Sequence, residues 1–322
     1  MSDKLFTRRE AIWIGALGLL QIGILTSASA GWWNFESKGD KSQVNLSDLQ
    51  ELPKVLEKTQ HQEVIHIAVA SVISPMENVN LYGDLLNLFG EKINMQVQMV
   101  QRQNYNDTNR LIENGDVQVA FICSGALLGM DKNELAEQLL VTPEIAGSST
   151  YRSYIIVPSR STAHSLMDLQ GRSFAYMDPL SFSGHIAPQY MIKKAGYNST
   201  SFFKKTIFTY SHDNSIKAVA EGIVQGAAVD SLIYDLTVSR RPELMNKIKI
   251  IDQSEEVGNP PVVVSAQTDL NLRVLIKNVL LTMHLDEEGR KALKILQFDR
   301  FVHPDLSLYD RVWEMSREVG LG

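Results

Sequence analysis

The chain has 322 residues, enough for one large or two medium domains with full cores. Apolar residues make up 44% and charged residues 21%, which excludes wholesale disorder, and a net charge of -6 argues against a nucleic-acid-binding surface. The one cysteine, Cys123, excludes an internal disulfide and a cysteine-based zinc cluster; beside the apolar run 117–123 it reads as buried packing.

The first thirty residues have the three parts of a secretory signal peptide. Lys4, Arg8 and Arg9 supply the positive end, residues 11–25 are mostly apolar, and Ala28-Ser29-Ala30 offers a cleavage site. The apolar run is shorter than the roughly 20 residues that a membrane span needs, and Gln21 interrupts it. Paired arginines after Thr7 suggest the twin-arginine route; an uncleaved anchor would equally place the body in the periplasm. No cysteine follows the run to carry a lipid. Residues 31–60 read as a linker, with a helix over 46–58.

A regular alternation then begins. Residues 64–71 are β-branched and alternating, a strand; 80–92 have helical spacing; 93–101 alternate again. Residues 106–115 read as a helix ending at Gly115, and 117–122 as a short buried strand. That order predicts α/β architecture with a mainly parallel sheet and helices on both faces. A second unit repeats it: strand 151–159, a short helix, the Gly171 turn and a strand within 166–178, and helix 183–196 capped by Gly196. Strand 206–211, helix 215–222 and strand 226–230 follow, then strands at 247–252 and 262–266. The end, 269–319, reads as three helices. The expected organisation is two lobes, with 61–150 and 260–322 in lobe one, 151–259 in lobe two, and a cleft between them.

The chemistry concentrates where strands end and helices begin. Residues 178–188 end a strand at Asp178, turn at Pro179, and open a helix with Ser181, Phe182, Ser183, Gly184 and His185. The first N–H groups of a helix lack internal partners and sit at the positive end of its dipole, so hydroxyls and a glycine there make an anion cradle. The same serines would serve simple N-capping. Ser211, His212 and Asp213 precede the next helix, with His212 as a donor to an oxyanion; Asp230 stands at the following strand tip, as a helix cap or a contact for a ligand amine or protonated oxygen. Ser124-Gly125 after 117–122, Ser71 and Ser74 after the first strand, and Tyr151 at the start of the second unit complete the candidate ligand set. No Walker loop, dinucleotide glycine pattern or nucleophile elbow is present, and the seven histidines lack metal spacing. The residues call for no cofactor, and neither a catalytic nucleophile–base pair nor a metal site can be assembled from them.

From about 64 to 285 the chain resembles the phosphate/phosphite/phosphonate-binding proteins of ABC transporters. The matching pieces are VQVAFI with its Ser-Gly turn, YRSYIIVPSRSTAHSLMDLQGRSFAYMDPLSFSGHIAP, SHDNSIKAVAEG, GAAVDSLIYD and VGNPPVVV. DLQGRSFAYMDPLSFSG looks like the family's D-L-K-G-K-x-F-A-F-x-D-P-x-S-T-S-G and is the most specific of them. The resemblance implies a type II periplasmic-binding fold, closing on its hinge around a small anion that is passed to a transporter permease by a monomeric protein. It implies that Ser181, Ser183 and Gly184 grip the oxyanion, that His212 donates to it, and that Asp230 lies near the family's acidic contacts. Two positions depart: Phe182 stands where the family usually has Thr, and Leu127 where it usually has Tyr. These departures weaken a phosphonate assignment and raise the alternatives of a different anion, or of a ligand sensor of the same fold that reports to a membrane receptor.

Overall fold

The computed structural model describes residues 63–131 and 133–321. The expected signal peptide, the linker and its helix over 46–58 lie outside the described residues.

β1 (Val64–Val69) sends Ile65, Ile67 and Val69 into one core and Ala68 into another, so both faces of its sheet are covered. α1 (Pro75–Ile93) starts on a proline whose missing N–H costs nothing there, lays Leu81, Leu85 and Phe89 on the first of these cores, and ends at Asn94 in the left-handed region. β2 (Gln96–Val100), α2 (Tyr105–Glu113) and β3 (Val119–Phe121) complete a strand–helix–strand unit, with Asn104 capping α2 through the Asp107 N–H. A 3-10 turn over Ser124–Gly129, α3 (Leu135–Gln138) and β4 (Leu139–Glu144) follow.

The chain then passes through β5 (Thr150–Tyr151) into β6 (Ser153–Pro158), β7 (Ser173–Tyr176) and a widened π turn over Phe182–Ile186. Next come α4 (Ala187–Lys194), β8 (Lys205–Phe208), α5 (His212–Ala220), β9 (Gly226–Asp230), α6 (Ser231–Arg240) and β10 (Ile248–Gln253). β11 (Val257–Gly258) leads back into β12 (Val262–Val264), α7 (Leu270–Thr282), α8 (Glu287–Ile295), β13 (Arg300–Val302) and α9 (Ser307–Val319).

Two sheets result, ordered β13-β4-β12-β3-β1-β2 and β10-β6-β9-β7-β8. β5 and β11 pair antiparallel with each other, where the chain crosses from one sheet to the other and back. The architecture is α/β and two-lobed, as expected, but the sheets are mixed rather than mainly parallel. β1 is parallel to β2 and β3, and β7 to β8 and β9, whereas β12 runs antiparallel to β3 and β6 to β9. The reason is topological. β6 and β12 each enter their sheet directly from the crossing, at the end where the parallel strands finish, so they must run the opposite way.

Other local expectations shift as well. The strand expected over 151–159 is broken at Arg152, which separates β5 from β6. The helix expected from 183 opens as a π turn, with Ile186 N–H reaching back to Ser181 O at 3.0 Å. α5 starts at His212 rather than 215. β4 and the three-residue β13 were not expected at all; they pair with each other on the edge of the first sheet.

Candidate functional site

The cleft ends of both sheets meet through a small set of direct contacts. His212 N–H donates to Val72 O at 2.9 Å and Ser74 N–H to Asp213 Oδ1 at 2.9 Å. Tyr105 N–H donates to Asp178 Oδ2 at 3.1 Å. The 3-10 turn at Gly125 lies so close to Leu180 O and the Phe182 N–H that a Cβ would collide with both. In this closed arrangement the side chains singled out in the sequence are buried, with Ser74 and Asp213 half-buried.

Each falls into one of two groups by what its polar atoms do. Ser181 Oγ caps the π turn, accepting from the Gly184 N–H at 3.0 Å. Ser124 Oγ donates to Gly258 O at 2.7 Å and so ties the first lobe to the crossing strands. His185 does not turn toward the cleft: Nδ1 meets Pro179 O at 2.8 Å, Nε2 meets Gln189, and the ring packs on Tyr176 and Phe208. Phe182 puts its ring into the core, edge-on to Tyr151 with centroids 5.8 Å apart, so only its backbone faces the site. Ser74 presents its N–H rather than its hydroxyl to the other lobe.

The second group is buried and unsatisfied. Ser183 Oγ, His212 Nε2 and Asp230 Oδ2 have no partner, and neither has the phenol of Tyr105. Native interiors seldom leave such atoms unpaired, so a buried gathering of them calls for a ligand. His212, Asp230 and the Ser183 turn are neighbours, and Asp230 acts electrostatically on Tyr105. His212 Nδ1 accepts from the Asp230 N–H at 3.1 Å, which fixes the tautomer and leaves Nε2 carrying the proton. A Cβ on Gly184 would stand 3.2 Å from His212 Cε1, so the glycine lets the Ser183 turn and the histidine approach. Ser153, opposite Asp230 in the β6–β9 ladder, donates its hydroxyl to Ser183 O at 2.5 Å.

Electrostatics keep the donors neutral. Burial lowers the His212 pKa to about 3, so the ring is uncharged at neutral pH. Burial raises Asp230 to about 7, outweighing the N–H groups of Ile233 and Leu232 that its Oδ1 accepts. Burial first, then the neighbouring Cys123, Asp178, Tyr151 and Asp230, hold the Tyr105 phenol well above its ordinary value. Cys123 is buried, as its apolar context implies, yet it also borders the site. Its Sγ is 3.8 Å from Tyr151 Oη, and the Gly125 and Phe182 N–H groups point at it.

Sequence reasoning passed over Tyr105 and Tyr82. Tyr105 opens α2 directly after the capping Asn104, a strand-end position like the others, but a phenol at a helix start carries no recognisable spacing. Among the described residues no group of three His, Cys, Asp or Glu side chains is placed to hold a metal ion. No described helix is long and apolar enough to cross a membrane.

Known proteins share this fold. The family described as the periplasmic substrate-binding protein of phosphonate ABC transporters matches residues 67–309. A probable ABC transporter phosphite-binding protein, PhnD1 of Prochlorococcus marinus (strain MIT 9301), is 21% identical over 263 residues, 76% of this chain and 87% of that protein. Its structure in complex with methylphosphonate superposes with a TM-score of 0.72 at 16% identity, over 81% of this chain and 99% of that one. The binding-protein component of an ABC phosphonate transporter from Pseudomonas aeruginosa gives a TM-score of 0.73 at 21% identity, over 79% and 86% of the two chains. With its two mixed sheets, its paired crossing strands and its family match over residues 67–309, the chain belongs to the periplasmic substrate-binding proteins of phosphonate-type ABC transporters.

Proposed function

We propose that this protein captures a small phosphorus oxyanion, of the phosphonate, phosphite or phosphate kind, between its lobes and delivers it to an ABC transporter permease. The observation that carries this reading is the buried, unpartnered set of Ser183 Oγ, His212 Nε2 and Tyr105 Oη beside Asp230. These atoms are three neutral donors without partners, and Asp230, raised to about 7, can share a proton with a ligand oxygen. Donors of this kind bind an anion strongly once water is excluded, because charge-assisted hydrogen bonds are about twice as strong as neutral ones. The ligand bridges Ser183 and His212 on the second lobe and Tyr105 on the first. It therefore favours closure, because only the closed state offers both sets of contacts.

The paired strands β5 and β11 serve as the hinge, with residues 61–150 and 260–322 moving against 151–259. The protein acts as a monomer, and the basic, apolar and small-residue order of residues 1–30 exports it by the twin-arginine route or holds it at the membrane. Neither role requires catalysis: the mechanism is binding, closure and release.

Calorimetric titration of the full-length protein with phosphate, phosphite, methylphosphonate and 2-aminoethylphosphonate tests the reading. At least one should bind, and Ser183→Ala should weaken it by about 1.5–3 kcal/mol. Unchanged affinity in Ser183→Ala would remove the turn from the site, and binding of none of the four would refute the oxyanion assignment.

A further inference from the structure

The closed lobes enclose a second space against the same carboxylate. A chamber of about 250 Å³ lies between the cleft ends of β1, β3 and β4 and the first turns of α6. Tyr82, Phe121, Pro260 and Phe298 face it from one lobe, and Ile233 and Leu236 from the other. Among the described residues its lining is largely apolar and includes no Lys, Arg or His, and the charged side chains in it are Asp230 and Asp235. Leu236 and Ile233 also join the core of the opposite lobe, so the chamber lies beside the apolar contact between the lobes.

Asp230 connects this chamber to the oxyanion site. Its N–H holds His212 Nδ1, its Oδ2 is buried without a partner, and it forms part of the chamber wall. A ligand with its anionic head at His212 Nε2 and Ser183 Oγ therefore meets Asp230 next, with the apolar chamber alongside. Inorganic phosphate or phosphite would leave that chamber empty. The lining atoms would then forgo dispersion contacts that an apolar substituent supplies. A second anionic group is disfavoured there, because the only charges present are carboxylates. A cavity of roughly 150 Å³ already holds benzene, so this one has room for a phenyl ring or a chain of about four to six carbons.

We infer that the ligand is an organophosphonate whose carbon substituent is apolar, of aryl or short-alkyl size, and is seated in the chamber walled by Tyr82, Phe121, Ile233, Leu236 and Phe298. The inference rests on the oxyanion reading above and adds the chemistry of the other end of the ligand.

Titration of the full-length protein with methylphosphonate, 2-aminoethylphosphonate, butylphosphonate and phenylphosphonate separates the two claims. Phenylphosphonate or butylphosphonate should bind at least about tenfold more tightly than methylphosphonate, since each buried methylene adds several-fold to affinity. Ile233→Trp fills the chamber from a residue outside the oxyanion contacts. It should abolish that gain, read as the ratio of phenylphosphonate to methylphosphonate affinity within the variant. Leu232→Phe, a milder filling from the same turn, carries the test if Ile233→Trp fails to fold. Methylphosphonate binding without any gain for the larger substituents would overturn the inference and leave the oxyanion reading standing. A gain that survives filling of the chamber would also overturn it. Binding of no phosphonate of any size would overturn both.

Discussion

His212 and Asp230 share a hydrogen bond, yet burial moves their titrations in opposite directions. His212 falls from 6.5 to about 3, so between those values the unfolded chain holds a proton that the folded protein lacks. Its contribution to stability therefore rises with pH across that window and is lost as pH drops toward 3. Asp230 rises from 3.8 to about 7, so here the folded protein holds the extra proton. Its contribution is fully present below 3.8 and is lost as pH climbs through 7. Each slope reaches at most about 1.4 kcal/mol per pH unit, and over the shared window the two oppose each other. Denaturant unfolding of the ligand-free protein between pH 4 and 7 reads this out. His212→Gln should leave a curve that falls with pH relative to wild type, and Asp230→Asn one that rises. Parallel curves for all three proteins would mean that neither group titrates as its burial requires. The sequence placed both residues at strand ends, but it could not show that one accepts the other's N–H and is thereby fixed as a donor.

At the scale of elements, the π turn over Phe182–Ile186 decides the shape of the cradle. Ser181 caps it and Ser183 points an unbonded hydroxyl inward, so two serines that look equivalent in the sequence have different duties. Gly184 is needed directly after them for space rather than for backbone freedom. A methyl there would collide with Met177 Cβ and Ser181 Oγ and crowd His212 Cε1 at 3.2 Å. Gly184→Ala should thus destabilise the protein by about 1–3 kcal/mol and abolish ligand binding, measured by denaturant unfolding and calorimetry. Wild-type stability in that variant would show that the turn opens without cost. His185 and Phe182 belong to the same motif, but both side chains are spent on packing. Motif position alone could not separate them from Ser183, because the widened turn sets which side chains face inward.

Across the whole molecule, His212 to Val72, Ser74 to Asp213 and Tyr105 to Asp178 link the lobes at the cleft, while Arg240 to Ile295, Gln297 to Ser239, and Arg311 to Glu255 and Tyr190 link them elsewhere. Apolar contacts accompany them on both sides, with Leu236 joining the first lobe's core and Phe182 packed among Tyr105, Leu127 and Tyr151. Leu127, one of the departures from the family pattern, is therefore an interior residue of this interlobe core. Asp213→Ala removes the acceptor for the Ser74 N–H and should weaken closure by about 1 kcal/mol. That is roughly a fivefold shift toward the open state, and ligand affinity should fall by up to that factor. X-ray scattering of the ligand-free variant should give a larger radius of gyration than wild type, restored by saturating ligand. An unchanged radius together with unchanged affinity would show that this bond does not hold the lobes closed.

By itself, the sequence determined the α/β alternation, the double crossing between halves and the strand-end positions where Ser183, His212 and Asp230 stand. Those features are legible because hydrophobic periodicity and helix starts are local properties. Tertiary structure decided the direction of β6 and β12, which follows from their entry through the paired crossing strands. It also decided which hydroxyls and ring nitrogens stay unbonded, and that an apolar chamber adjoins Asp230. Each of these depends on residues from both halves meeting across the cleft, between positions as far apart as Tyr82 and Phe298, and no local pattern records such a meeting.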